Sequence, residues 1–311
     1  MQYAQLYGTL VLDRLDQAGL GNHLFVYAHM LSFAMAHKIR LLNPSFREYA
    51  DYFEAGTAGH LGGWRPRWSP VPLRRQVAQA EGLCRDVVES SGGWADGRRR
   101  RVLDIGWDRF LPLDDPGFLA LAARRGTLVC QGFQYRDEPN FSGYASAVRA
   151  EFRLAEPYRL NVSRVLQEAR RGSDVLVGVH VRGGDYARHL GGRYLYPVAR
   201  YADMMRHVAG LIPGRRVRFL VTSGEQPDPA LFQGLDVCFS TGQRIEDLYA
   251  QAGCDYLFGP PSTYSMWASY WGGARLYRMA DPDKLPSLGD FNVFGVHTRP
   301  LRSLSLGRQS R

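Results

Sequence analysis

The stretch VLVGVHVRGGDYARH, residues 175–189, passes from an unbroken apolar run into His180, Arg182, two glycines and Asp185. A guanidinium is a fixed cation with a planar donor fork, suited to a phosphate. Glycines beside it let backbone approach a ligand closely. Two other apolar runs end in a related way. VRFLV, residues 217–221, leads into Thr222, Ser223, Gly224 and Glu225. YLF, residues 256–258, is followed by Gly-Pro-Pro and then by Ser262, Thr263, Tyr264 and Ser265. Hydroxyls and free N–H groups at a helix start form an anion site, reinforced by the helix dipole. An arginine and a Ser/Thr-rich helix start therefore point to a diphosphate held without a metal. Glu225, at the middle run, could read a base edge or a sugar hydroxyl.

Each residue has a plainer reading as well. Ser262 could be an ordinary helix cap. His180 could be a hydrogen-bonded core histidine. Asp185 could hold the turn or pair with Arg182, and Tyr186, Trp267 and Trp271 could simply pack in the core. What favours a site is convergence. In an open α/β sheet, ligands bind beyond the carboxyl ends of the strands, so polar strand ends far apart in sequence meet in space.

The elements needed to bring them together are legible. Residues 175–181 are apolar almost throughout, as expected of a parallel strand covered on both faces. Residues 217–221, 237–239, 256–258 and 275–277 read as further strands, with helices over 200–209, 245–252 and from about Ser262 onward. Earlier in the chain, residues 9–12 read as a strand and 16–21 as a glycine-containing loop. Leu24, Phe25, Ala28, Leu31, Ala34 and Met35 recur at helical spacing, and residues 39–42 read as a second strand. That is one β-α-β unit. Residues 56–100 are rich in Gly, Pro, Trp and Arg and read as irregular, with a short helix over 77–90. Residues 128–131 read as a strand and 145–153 as part of a helix. Two β/α series suggest two Rossmann-like domains, with the boundary within 155–172.

The 311 residues suit two domains, and 45% hydrophobic content allows a sizeable core. No apolar run is long enough to span a bilayer. The opening MQYAQLYGTLVLDRLD lacks the charged start, apolar stretch and cleavage site of a secretory signal. The four cysteines, Cys84, Cys130, Cys238 and Cys254, are scattered and form no CxxC pair. They read as free thiols in a reducing cytoplasm.

Of 39 basic residues only Lys38 and Lys284 are lysine, so the net charge of +9 reflects arginine-rich coding more than selection for a partner. Arginine-rich patches could still meet anionic lipid, which leaves peripheral contact with the inner membrane face open. The run 98–101 reads as a solvated loop. No recognised module accompanies the charge, so nucleic acid is not the expected partner. GLGNHLF fails as a dinucleotide fingerprint because Leu24 occupies the third glycine position. The Walker pattern, HExxH, DxD and GxSxG are all absent, and no His/carboxylate cluster argues for a metal.

GLGNHLFVYA, residues 19–28, resembles the GLGNQMFQYA opening of the bacterial and animal α-1,2-fucosyltransferases of glycosyltransferase family 11. HVRGGDY, residues 180–186, resembles their HxRRGDY. The stretch from Asp247-Leu248-Tyr249 through STYSMW, residues 262–267, resembles their DLYLMS…NSTFSWWGAW. Order and spacing also match, so the resemblance covers roughly residues 9–275. It implies an α/β GT-B fold in which two Rossmann-like domains face a central cleft, 1–158 on the acceptor side and 159–311 binding the GDP-sugar. It implies inverting, metal-independent transfer of L-fucose from GDP-fucose to a glycan or lipid-linked glycan, with no cofactor. Arg182 would hold the diphosphate with His180 beside the donor. Ser262, Thr263 and Ser265 would line the phosphate site, and Gly21 and Asn22 would face the transferred sugar. Ser223 and Glu225 would complete the donor site. Asp185 is the first candidate for general base, ahead of Asp51 and Glu54. Three departures keep alternatives open. Gly183 stands for the second arginine of the motif, Ser223-Gly224-Glu225 for Ser-Asp-Asp, and His23 for glutamine. Another nucleotide-sugar, another acceptor position, or a catalytically dead GDP- or sugar-binding homologue are the competing readings.

Overall fold

The computed structural model of the chain describes residues 9–13, 19–54, 100–105, 110–123, 126–183, 186, 189–240 and 242–295. The chain divides between Ala155 and Glu156 into two units, each with its own parallel sheet and core.

In the first unit β1 (Thr9–Asp13), α1 (Leu20–His37) and β2 (Arg40–Leu42) make the expected β-α-β unit. The helix starts earlier than its apolar spacing suggests. Leu20, Gly21 and Asn22 form its first turn, with the N–H groups of Asn22 and His23 both bonded to the Gly19 carbonyl. The residues assigned to the end of a glycine loop are therefore helical. Lys38 closes the helix in the left-handed region at φ 54°, returning its N–H to Ala34 and Met35. A short α2 (Arg47–Ala50) follows. Next come β3 (Arg100–Asp104), β4 (Leu111–Pro112), α3 (Pro116–Ala122), β5 (Thr127–Gln131) and β6 (Tyr135–Arg136). Helices α4 (Glu138–Gly143) and α5 (Ala145–Glu151) close the unit. The sheet order is β2-β1-β5-β3, all parallel. Arg100 and Arg101, read as a solvated loop, instead open β3 and pair with Thr127 and Leu128. Strand hydrogen bonds engage only backbone, so an arginine run does not prevent pairing. The helix expected over 77–90 lies outside the described residues.

The second unit opens on α6 (Glu156–Arg170), a helix where the sequence suggested only a boundary. It is anchored from outside itself. Arg170 forms a two-pronged ion pair with Asp255 at 3.0 Å, and Asn161 donates to Glu246 at 2.8 Å. Then follow β7 (Val175–Val181), α7 (Val198–Gly210), β8 (Val217–Ser223), β9 (Val237–Phe239) and α8 (Arg244–Ala252). The chain continues through β10 (Tyr256–Gly259), α9 (Thr263–Gly272) and β11 (Arg275–Arg278). The parallel order β11-β10-β7-β8-β9 is the doubly wound arrangement, with winding that reverses between β7 and β10. All seven residues of β7 are buried, as a central strand covered on both faces requires. Its alternate residues Val175, Val177, Val179 and Val181 join Tyr201, Met205, Phe219 and Phe258 in one core.

Helices α8 and α9 pack so closely that a Cβ on Gly272 would overlap the backbone carbonyl of Ala252. The Gly272→Ala variant should lose about 1–3 kcal/mol of stability, despite alanine's higher helix propensity. Thermal unfolding measures this, and an unchanged or raised midpoint would refute the close approach.

Candidate functional site

The winding reverses between β7 and β10, and in such sheets ligands usually bind beyond the carboxyl ends of the strands at that point. Gly259, last in β10, allows the two strand ends to approach. A Cβ there would lie 2.6 Å from the carbonyl oxygen of His180. Beyond Gly259 the chain turns at Pro260 and Pro261 into α9. Ser262 caps that helix by accepting the Tyr264 N–H at 3.2 Å.

The two strand ends are joined by side chains. His180 is buried, and its Nδ1 lies 2.7 Å from Ser265 Oγ. Its ring packs 4.8 Å from that of Tyr264, whose hydroxyl donates to the Arg244 carbonyl at 2.7 Å. Arg182 is half-buried, and its backbone N–H reaches the Tyr201 hydroxyl. Its guanidinium carbon sits 4.2 Å from the centre of the Tyr186 ring. Tyr186 in turn donates its hydroxyl to the Pro261 carbonyl at 2.8 Å, one residue before the Ser262 cap. The Arg182 charge acts on both His180 and Tyr264. The arginine is thus linked through Tyr186 to the residue that precedes the helix cap.

The candidate residues occupy distinct places. Ser262 and Thr263 are half-buried at the helix tip. Ser265 is 2% exposed and its hydroxyl is engaged by His180, so it orients the ring. Ser223 ends β8 opposite Val181 of β7, and Glu225 is exposed just beyond it. Gly21 is buried and Asn22 half-buried in the first turn of α1, in the other unit. Asp185 lies outside the described residues. Asp51 is exposed, and Glu54 pairs with Arg153 at 3.5 Å.

Sequence reasoning assigned no role to Asp247, in the first turn of α8. It is 5% exposed, and its Oδ1 is buried with no hydrogen-bond partner among the described residues. Burial pushes the carboxyl up to about 6, against hydrogen bonds from the Ser240 side chain and the Gly242 backbone. Its charge also acts on the Tyr264 hydroxyl. An aspartate in a first helical turn normally signals only dipole compensation, so nothing local distinguished it. Beneath it Gln251, fully buried, donates to Thr222, whose hydroxyl donates to the Val179 carbonyl.

Burial first, and then Arg182, depress the His180 imidazole to about 3. The ring is a neutral hydrogen-bonding group at ordinary pH, and the cation at this strand end is the guanidinium. Among the described residues no three His, Cys, Asp or Glu side chains gather in a metal-binding group, and no helix is long and apolar enough to cross a membrane.

A pH dependence follows. The unfolded chain protonates His180 near 6.5, while the folded chain resists protonation down to about 3. Stability therefore falls as pH drops below 6.5, by about 2 kcal/mol at about pH 5 from this ring alone. Asp247 has the opposite slope, losing stability as pH rises through about 4 to 6. Comparing melting curves of the wild type and His180→Gln isolates the histidine. A difference that stays constant across this range would show that the ring protonates freely in the fold.

No protein-family model matches the chain, and no curated protein matches it. Solved structures do. A mutant of Arabidopsis thaliana FUT1 in complex with GDP is similar at TM-score 0.55 and 14% identity, over 92% of this chain and 72% of that one. The fucosyltransferase NodZ from Bradyrhizobium is similar at TM-score 0.52 and 16% identity, over 90% of this chain and 98% of that one. POFUT1 in complex with GDP-fucose is similar at TM-score 0.53 and 12% identity, over 87% and 95%. At such identities the likeness is one of fold: two Rossmann-like domains of the GT-B class.

Proposed function

We propose that the protein is an inverting, metal-independent fucosyltransferase that moves L-fucose from GDP-fucose to a glycan hydroxyl. On the resemblance of its motifs, the linkage would be α-1,2 to galactose. The observation that carries this reading is the junction at the sheet reversal. There His180 meets Ser265 at 2.7 Å, and Arg182 is tied through Tyr186 to the residue preceding the α9 cap. Further support comes from the fold neighbours, two of which were solved with GDP or GDP-fucose.

In this reaction the acceptor oxygen attacks the anomeric carbon from the face opposite the diphosphate. The bond to the β-phosphate oxygen breaks, and its electron pair stays with the leaving GDP. Arg182 and the donors at the α9 tip stabilise that growing charge, which is electrostatic preorganisation. The neutral His180 ring helps to hold the helix tip in place and carries no proton to give up as an imidazolium. Asp185, three residues past Arg182, is our candidate to take the acceptor's proton. Oxocarbenium character at the anomeric carbon lowers the demand on that base.

Two carboxylates divide the nucleoside. Glu225, just past β8, would accept from ribose hydroxyls, a usual role of an acid at such a strand end. Asp247 offers a buried oxygen without a partner. Guanine presents adjacent N–H donors on its Watson–Crick edge, and a carboxylate is their acceptor-only complement.

The Arg182→Ala variant should lose about 10² to 10³ in transfer rate from GDP-fucose, with its melting temperature retained. Arg182→Lys should also be impaired, because an ammonium lacks the planar fork. Unchanged turnover in a folded Arg182→Ala protein would remove the hypothesis.

Asp247→Asn should raise the melting temperature near neutral pH, because it relieves a buried charge, and weaken GDP binding about tenfold or more. A variant that melts lower yet binds GDP as before would reject the assignment of Asp247 to the base.

A further inference from the structure

We infer that Tyr186 is a positioning residue that sets the guanidinium of Arg182 for the diphosphate. This rests on the reading of Arg182 given above. An arginine at a strand end has a long, freely rotating stem, and ordering it costs entropy that weakens every bond it makes. Here the guanidinium lies over an aromatic face, its carbon 4.2 Å from the ring centre, well inside cation–π range. The platform itself is fixed. Tyr186 is 5% exposed, its backbone N–H returns to the Gly183 carbonyl at 3.2 Å, and its hydroxyl donates to Pro261 at 2.8 Å. The turn through Gly183 thus folds the ring back onto the side chain four residues earlier.

The geometry has a chemical consequence. A guanidinium held over a ring face can keep its N–H donors, which lie in its own plane, free to meet a ligand. Bidentate phosphate recognition uses those in-plane donors. The hydroxyl bond to Pro261 sets the ring against the α9 tip, so one side chain registers the two halves of the anion site. With glycine at position 183, the neighbouring position adds no second cation that could compensate for a misplaced Arg182.

The test compares GDP with guanosine, which lacks the diphosphate, by calorimetric titration of the full chain. Tyr186→Leu should weaken GDP about tenfold and leave guanosine unchanged. Tyr186→Phe keeps the face and should bind GDP within about threefold of the wild type. On an Arg182→Ala background, Tyr186→Leu should cost nothing further, because its effect passes through the guanidinium. If the leucine variant fails to fold, Tyr186→Met makes the same comparison with a longer apolar chain in place of the ring. Equal weakening of GDP and guanosine, or a full added penalty on the Arg182→Ala background, would reduce Tyr186 to a packing residue. If Arg182→Ala weakens GDP while Tyr186→Leu matches the wild type, the platform alone is wrong. A wild type that binds no GDP would overturn the platform and the donor assignment together.

Discussion

The hydrogen bond between His180 and Ser265 joins the end of β7 to the first turn of α9 in a place from which water is excluded. Neither group can be left alone there, since an unpaired buried polar group costs about 1–3 kcal/mol. Each therefore holds the other, and the bond sets where the tip of α9 points. Close approach of the strands comes first, and Gly259 permits it by offering no Cβ to the His180 carbonyl. The same burial keeps the imidazole neutral. Positive charge at the end of β7 is thereby concentrated on the guanidinium, and the ring keeps one hydrogen-bonding role over the range where proteins work.

The polar layer around α8 explains why that helix is so thoroughly buried. From Ile245 to Ala252 every residue is inside, including Glu246, Asp247 and Gln251. Glu246 accepts from Asn161, and Gln251 reaches Thr222, which itself bonds to the backbone of β7. Satisfied polar groups of this kind fix register as well as contribute stability. Asp247 Oδ1 and Gln251 Oε1 are the atoms of this layer without a hydrogen-bond partner among the described residues.

What could be read from sequence was what local chemistry specifies. The apolar runs of β7, β8 and β10 and the Ser262 cap each carry their own signal, so the second sheet and its polar strand ends were legible. Elements stabilised from outside were not. The polar helix α6 holds through Arg170 and Asn161 reaching other elements, and β3 begins on arginines that pair by backbone alone. The start of α1 was misplaced because its first turn contains glycine and asparagine, poor helix formers that packing overrides. Asp247 and Tyr186 fall within the quoted motifs, yet sequence alone assigned neither a specific role, for the same reason. Burial and ring contacts belong to three dimensions, and the motif spacing by itself does not say that the Tyr186 ring meets Arg182. Asp185 and residues 55–99 lie outside what the structure describes.

The strand order bears on how the chain is made. β7 is synthesised well before β10, yet its two edges are filled by β8 on one side and β10 on the other. During translation β8 can dock as soon as it emerges, while the opposite edge of a largely apolar strand waits some seventy-five residues for its partner, from Val181 to Tyr256. Exposed apolar edges recruit foreign strands. The hazard of mispairing is therefore greatest for a nascent polypeptide in that interval.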